Sequence, residues 1–571
     1  MTLIEGFEIA ISETELEDII NNQMTSVELV NSEFSGYKQL SQANKQALIH
    51  LISAARMINN VALDQDHPLN CKLKAGLEKA SLRNSHAAKA LKLFNSINGV
   101  AAYNGISPDP IEIFKNVHIL KGRNFYPQDL GVEEFHQILQ QMIKLGKTDA
   151  VRQILSARTY VRRQNKELVA IDYTQAFSKI FSEVANELEV AAHYSDNSEF
   201  SEYLRWQAQA LLQNNEDMDM LADKHWALLQ NTPLEFTISR ENYDDEITPT
   251  IFDNSDLMET LKEHNIVPVP KDMLGARVGI VNQKGTELIL TFKSQMKHLA
   301  KLMPFADKYE QKIETSDNVK QTMVDVDLVS LQGDYAQCRG GITTAQNLPN
   351  DDKLAVQTGG GRRNVFHRQV RMSGDKNRTK QILDALIVKD LHQYYDDEAE
   401  HIFVIGHENA HSLGPDSSYK TALGIYQHTI EENKADVVSI AMMPEYVKSG
   451  TINEETLKKI YVTWIVRLLL KAKPQLSHPH RMGDLIHFNY LLKNEVITIT
   501  ADNKIDINLK LMPKVMNQIM QETIEVQLSK SPEVAKKFID DNTQWEQIHE
   551  YIASTIQQIG IKPYKEIKEY L

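Results

Sequence analysis

His407-Glu408-Asn409-Ala410-His411 is the segment of this 571-residue chain whose residue types and spacing point most directly to chemistry. On a helix, histidines four positions apart lie one turn apart on one face, so both imidazoles can reach one cation. Glu408 sits one residue round, close enough to address a water on that cation without ligating it. The apolar stretch HIFVIG runs into the motif and reads as the buried lead-in of the same helix. A short motif also arises by chance, so a third ligand has to be found. Catalytic zinc generally keeps three protein ligands and one position for water. Glu432 follows His411 after enough residues for a loop and a return helix. Asp436 lies one turn beyond Glu432 on its face, where a carboxylate can accept the second ring N–H of a ligating histidine and fix its tautomer. Glu431, Glu432 and Asp436 could instead form a solvated acidic face, the commoner fate of such a run. The interleaved Ile430, Ala435, Val437 and Val438 speak for a buried helix.

The elements that must position these residues follow from the rest of the chain. Its length exceeds the roughly 250–300 residues at which a single core stops growing, so at least two cores are expected. From about Glu13 to Leu229, apolar residues recur at three- and four-residue steps in ELEDIINNQM, KQALIHLISAARMINNVAL, VEEFHQILQQMIKLG and SEYLRWQAQALLQ, which predicts helices. After Leu229 the segments TPLEFTISRENYDDEITPTI, VPVP, RVGIVN and ELILTF are rich in β-branched residues and predict short strands and loops. A helix is expected around FKSQMKHLAKLM and a strand at VDVDLVSL, and beyond Lys376 the pattern is helical to about Gln557. The expected architecture is α+β and two-lobed, with the β material mainly in the middle of the chain. A mixed lobe takes residues 1–280 and 330–375, helical over 1–229. A mainly helical lobe with the metal site takes 281–329 and 376–571.

Composition narrows the function classes. With 62 basic against 77 acidic residues and a formal charge of -15, the chain lacks the basic footprint of sequence-independent nucleic-acid binding. Cys71 and Cys338 form no CxxC pair and no disulfide framework, which fits a reducing compartment. The acidic start MTLIEGFEIAISETELED shows no secretory pattern, and YVTWIVRLLL is too short to span a bilayer and carries Arg467. A soluble, cytoplasmic protein without nucleic-acid or membrane partners is expected; the sequence leaves the oligomeric state open, with a monomer favoured.

Glu-x-x-x-Asp at this distance from H-E-x-x-H is the arrangement of gluzincin metallopeptidases. HENAHSLGP followed by EENKAD resembles the dipeptidyl peptidase III family, particularly its plant and bacterial branch. NFYPQDLGVEEF, ENYDDEI, QNLPNDDK and HPHRMGDLIHFNYLL are similar to the same family in the same order, from Asn124 to Leu492. Some members of that branch carry an additional nucleotide-hydrolase domain; a glutamate-rich motif of that type does not occur in this sequence. The resemblance implies His407, His411 and Glu432 as ligands of one zinc ion per chain, and Glu408 as the catalytic glutamate. It implies Tyr243 and His480 as stabilisers of the reacting centre, and Asp436 as the carboxylate behind a ligand. Glu241 matches a residue that holds the free amino terminus of a peptide, and Asn347 and Asn350 match asparagines that bind its N-terminal portion. Amides donate and accept, so they can clamp a peptide backbone like an added strand. Two features depart from much of the family: H-E-x-x-H is one residue shorter than H-E-x-x-G-H, and Asp436 stands where Glu is common. Asp484 and Asn489 stand where animal members have arginines near the substrate. The resemblance implies a cleft between the two lobes that holds an extended peptide, with the mixed lobe binding substrate, and zinc-dependent release of dipeptides from the amino ends of short peptides. A gluzincin of different cut length, and a non-catalytic zinc-containing peptide-binding protein, are the alternatives.

Other segments read as structural. Gly359-Gly360-Gly361-Arg362-Arg363 lacks the G-K-[ST] ending of a phosphate loop and predicts a turn. Cys338 reads as a buried thiol, and HPHR, from His478 to Arg481, as a loop entering a helix.

Overall fold

The computed structural model describes residues 2–103, 109–165, 167–242, 245–311, 323–333, 345–348, 363–476 and 478–571. The chain divides into two compact units. One comprises Met1–Gln283, Gln321–Ser373 and Lys562–Leu571; the other comprises Lys284–Lys320 and Gly374–Ile561.

The first unit is built on a five-stranded sheet. Its spatial order is Ala345–Leu348, Arg363–His367, Met323–Gly333, Met273–Val281 and Leu234–Glu241. Met323–Gly333 runs parallel to Arg363–His367, and the other neighbours are antiparallel. Met273–Val281 is buried along its whole length, as expected of a strand covered on both faces. Gly279 is required there, since a Cβ would lie only 2.1 Å from Val326 Cγ1 of the neighbouring strand. The helix Gln42–Asp66 packs on this sheet, and apolar residues of both join one core with Phe181, Val184 and Leu188 of the helix Ser178–Tyr194. Buried Glu235 accepts from Trp226 Nε1 at 2.6 Å and from Arg277 at 3.1 Å, which pairs off charge inside the sheet. The last strand, Tyr564–Lys568, pairs in parallel with Met24–Glu28.

Three details differ from the sequence reading. ELILTF is not a strand but part of the helix Gln283–Ser294, which buries Thr286, Ile289 and Phe292. That three-residue spacing outweighs the β propensity of its residues, because packing overrides weak intrinsic preference. The stretch 13–229 also contains a hairpin, Thr159–Gln164 with Glu167–Asp172. Met323–Gly333, expected on either side of the lobe boundary at 329/330, lies wholly in the sheet of the first unit, and Lys562–Leu571 joins that unit as well. Strand pairing decides both placements, and pairing partners are not visible in local pattern.

The second unit is mainly helical. The helices Asp397–Ala410, Gln427–Lys448, Glu454–Arg467, Pro479–Lys493 and Met512–Ser529 form its centre, with Gln427–Lys448 packed against the other four. That helix buries residues on every side, from Thr429 to Met443 and Tyr446, the pattern of a helix enclosed by others. A short hairpin, Ile497–Ile499 with Ile505–Ile507, interrupts the helical run. Among the described residues, no helix is long and apolar enough to cross a membrane.

Candidate metal centre

The motif helix starts where Asp396 caps it, accepting from Glu398 N at 3.0 Å. Asp397, Glu398 and Glu400 follow in its first turn, next to the positive end of the helix dipole. It ends at His411, so both motif histidines lie in its last turn. The helix Gln427–Lys448 meets it closely at Gly406. A Cβ there would lie 2.3 Å from Ser439 Oγ and 2.7 Å from Met443 Cε. Ser439 Oγ donates to Phe403 O at 2.9 Å across the same contact. This close approach brings Glu432 to the two histidines.

Nε2 of His407 and Nε2 of His411 are 3.1 Å apart. Glu432 Oε2 lies 3.3 Å from the first and 3.7 Å from the second. Tetrahedral zinc with bonds of about 2.0–2.1 Å sets its ligand atoms about 3.3 Å from one another, so these three separations fit one such ion. The tautomers agree. His407 Nδ1 is 2.6 Å from Asp436 Oδ1, and His411 Nδ1 is 3.0 Å from Glu431 Oε1. A proton on each Nδ1 donates to a carboxylate and leaves each Nε2 lone pair facing the other. Two lone pairs at that distance call for a cation between them.

The charges around the site act together. Burial lowers the His407 pKa, but its contacts with the accepting carboxylates of Asp436 and Glu432 and the nearby negative charges raise it to about 10, so that a cation at Nε2, proton or metal, is favoured. Burial pushes Glu432 upward, and His407, His411 and His480 outweigh this and hold it below the usual carboxylate range. Asp436 and Glu431 are also held low against burial, the first chiefly by His407 and the second by Lys434 and His411. The site therefore keeps its carboxylates ionised although they are largely buried.

The remaining residues singled out in the sequence fall as follows. His480, near the start of the helix Pro479–Lys493, is mostly exposed, with Nδ1 3.2 Å from Glu432 Oε2. Glu408 is half-buried beside His407 on the motif helix. Glu241 is half-buried at the end of the strand Leu234–Glu241 in the first unit, opposite Met273. Burial and the charge of Asp272 raise its pKa. Asn347 lies on the strand Ala345–Leu348, in register with Asn364. Tyr243, Asn350, Cys338 and Gly359 to Arg362 lie outside the described residues. Asp484 is buried and 3.0 Å from Arg481 Nη1. Asn489 donates to Asn542 O and Gln544 O at 3.0 and 2.9 Å, which ties down a neighbouring helix end. HPHR does enter a helix, with Pro479 at its first position.

Sequence reasoning missed three residues around the ligands. Glu431 serves His411 as Asp436 serves His407. Gln527, on the helix Met512–Ser529, donates to Glu431 Oε2 at 3.1 Å. His487 is fully buried, with Nδ1 3.8 Å from Asp436 Oδ2. The doubled Glu431-Glu432 was the one signal available in the sequence.

No protein-family model matches the chain. Among solved structures, dipeptidyl peptidase III from Caldithrix abyssi superposes with a TM-score of 0.76 at 21% identity, covering 97% of this chain and 98% of that one. The corresponding enzyme from Corallococcus sp. strain EGB gives a TM-score of 0.68 at 17% identity, covering 98% and 97%. The chain has the dipeptidyl peptidase III fold. Nudix hydrolase 3 of Arabidopsis thaliana is 21% identical over 546 residues, 86% of this chain. The chain spans 66% of the length of that relative. The dipeptidyl peptidase III fold is thus matched over nearly all of the chain, including both units.

Proposed function

We propose that this protein is a zinc-dependent peptidase that releases dipeptides from the amino ends of short peptides in the cytoplasm. The observation that carries the reading is the convergence of His407, His411 and Glu432, whose ligand atoms lie within 4.8 Å of one another. Each imidazole is backed by its own carboxylate. Three ligands are a catalytic rather than a closed structural set. The fold shared with two dipeptidyl peptidase III structures supports the cut length.

A zinc ion would be held by these three residues and would supply Lewis acidity for activating water and polarising the scissile carbonyl. Glu408 takes the proton of the attacking water and passes it to the leaving nitrogen. Tyr243 donates its phenol proton toward the developing oxyanion, and His480, beside Glu432, offsets charge on the same centre. Glu241 pairs with the free ammonium of the peptide, so that cleavage is counted from that end. Asn347 and Asn350 bind the backbone of the N-terminal portion of the peptide. Asp436 and Glu431 keep the two histidines in the tautomer that presents Nε2.

The test is metal analysis together with product masses from an unmodified hexapeptide, on wild type and on Glu408→Ala. One zinc per chain, successive loss of dipeptides, and a zinc-loaded but inactive variant are expected. Retained turnover in Glu408→Ala refutes the role of Glu408. Release of single residues refutes the cut length, and a wild type that binds zinc but cleaves nothing refutes the peptidase reading.

A further inference from the structure

Lys434 is 1% exposed, on the helix that carries Glu432. An ammonium so buried is costly unless it is paired and its donors are used. Its Nζ lies 3.0 Å from Ala410 O, 3.3 Å from His411 O and 2.8 Å from Leu413 O. These are carbonyls at the end of the motif helix, where the backbone acceptors lack intrahelical partners and the dipole is negative. Nζ is also 3.0 Å from Glu431 Oε1, the same oxygen that faces His411 Nδ1 at 3.0 Å. One cation thus touches the backbone of His411 and the carboxylate that orients its ring.

We propose that Lys434 is a positioning residue for His411: it clamps the carbonyl end of the motif helix to Glu431 and so sets the imidazole toward the metal. The proposal rests on the metal site inferred above. Lys434 Nζ and His411 Nδ1 meet at the same oxygen of Glu431, so the lysine holds that carboxylate where it can accept from the ring. Gln527 fixes the other carboxylate oxygen, so the orientation of Glu431 is determined from both sides. A lysine that merely joined two helices would stabilise the fold without acting through Glu431.

The two roles separate in a double-mutant cycle of Lys434→Gln and Glu431→Gln, read as zinc Kd by chelator competition, with circular dichroism as the fold control. Glutamine keeps N–H donors near the helix carbonyls but removes the charge from Glu431. Each single variant is expected to weaken zinc about tenfold, within the range for lost outer-shell partners. The double variant is expected to be no weaker than the worse single one, because both changes break one chain of contacts. In the zinc-free protein, the imidazole ¹⁵N spectrum of His411 is expected to show the Nδ1–H form in wild type and a tautomer mixture in Lys434→Gln. If Lys434→Gln does not fold, Lys434→Met, of similar length, is read in the same way. A folded Lys434 variant with wild-type zinc affinity, or singles whose effects multiply to about 100-fold in the double, overturns the proposal. A wild type that binds no zinc overturns the metal reading first, and this proposal with it.

Discussion

Gly406→Ala tests whether helix packing, rather than the motif itself, assembles the metal centre. The added methyl would lie 2.3 Å from Ser439 Oγ and 2.7 Å from Met443 Cε, whereas carbon contacts are comfortable at about 3.5–4.0 Å. The Met443 terminus can swing aside. Ser439 cannot do so without giving up its 2.9 Å bond to Phe403 O, and otherwise the two helices must part by about an ångström. Overpacking of this kind costs about 1–3 kcal/mol, and the lost hydrogen bond about 1 kcal/mol more. At about 2–4 °C per kcal/mol for a unit of this size, the melting temperature should fall by about 4–16 °C. Glu432 and Ser439 share a helix, so a shift also pulls the carboxylate from the histidines, where ligand distances tolerate only about 0.2 Å. Zinc affinity should therefore fall together with stability. The assay is thermal unfolding with and without zinc, plus chelator competition. Gly406→Ala/Ser439→Ala should recover most of both losses, since the closest remaining atom on that residue would be its Cβ at 3.3 Å. Wild-type melting and wild-type zinc affinity in Gly406→Ala, or no recovery in the double variant, would refute the reasoning.

Burial and the charge of neighbouring Asp325 push the Asp327 carboxyl up to about 6, against the attraction of Arg368 and Arg371. Between its unfolded pKa of about 3.9 and 6, the native chain holds a proton the unfolded chain has released. Stability from this group is thus full below about pH 4 and is lost as pH rises through about 6. Asp327→Asn should match wild type in urea unfolding near pH 4 and exceed it at pH 8, by up to about 3 kcal/mol; equal stability at pH 8 would count against this. Glu241→Gln should raise KM for free peptides at least tenfold and leave N-acetylated peptides unaffected, measured by initial rates; equal effects on both would remove Glu241 from the amino-terminal site. Asn489→Ala should cost about 1–2 kcal/mol of stability through two lost hydrogen bonds while leaving the cleavage pattern of a peptide pool unchanged, as read by mass spectrometry.

Local residue spacing is enough to specify the parts of this protein that depend on near neighbours in the chain. His407 and His411 are bound to share a face wherever a helix forms, and Asp436 must follow Glu432 by one turn. Helical periodicity predicts the helices Gln42–Asp66 and Gln427–Lys448, and β-branched enrichment the strand Leu234–Glu241. Composition misjudges ELILTF, where burial every third residue prevails over β propensity. Tertiary structure alone decided which carboxylate serves which histidine. Glu431 and Glu432 are neighbours in sequence, and only the packing of the motif helix shows that one faces Nδ1 and the other Nε2 of His411. The same holds for Lys434, which could have been a surface lysine, and for Gln527, which lies 96 positions from its partner. Such pairings depend on helix approach and ring orientation, set by contacts at Gly406 and Ser439 that leave no periodic trace in the chain.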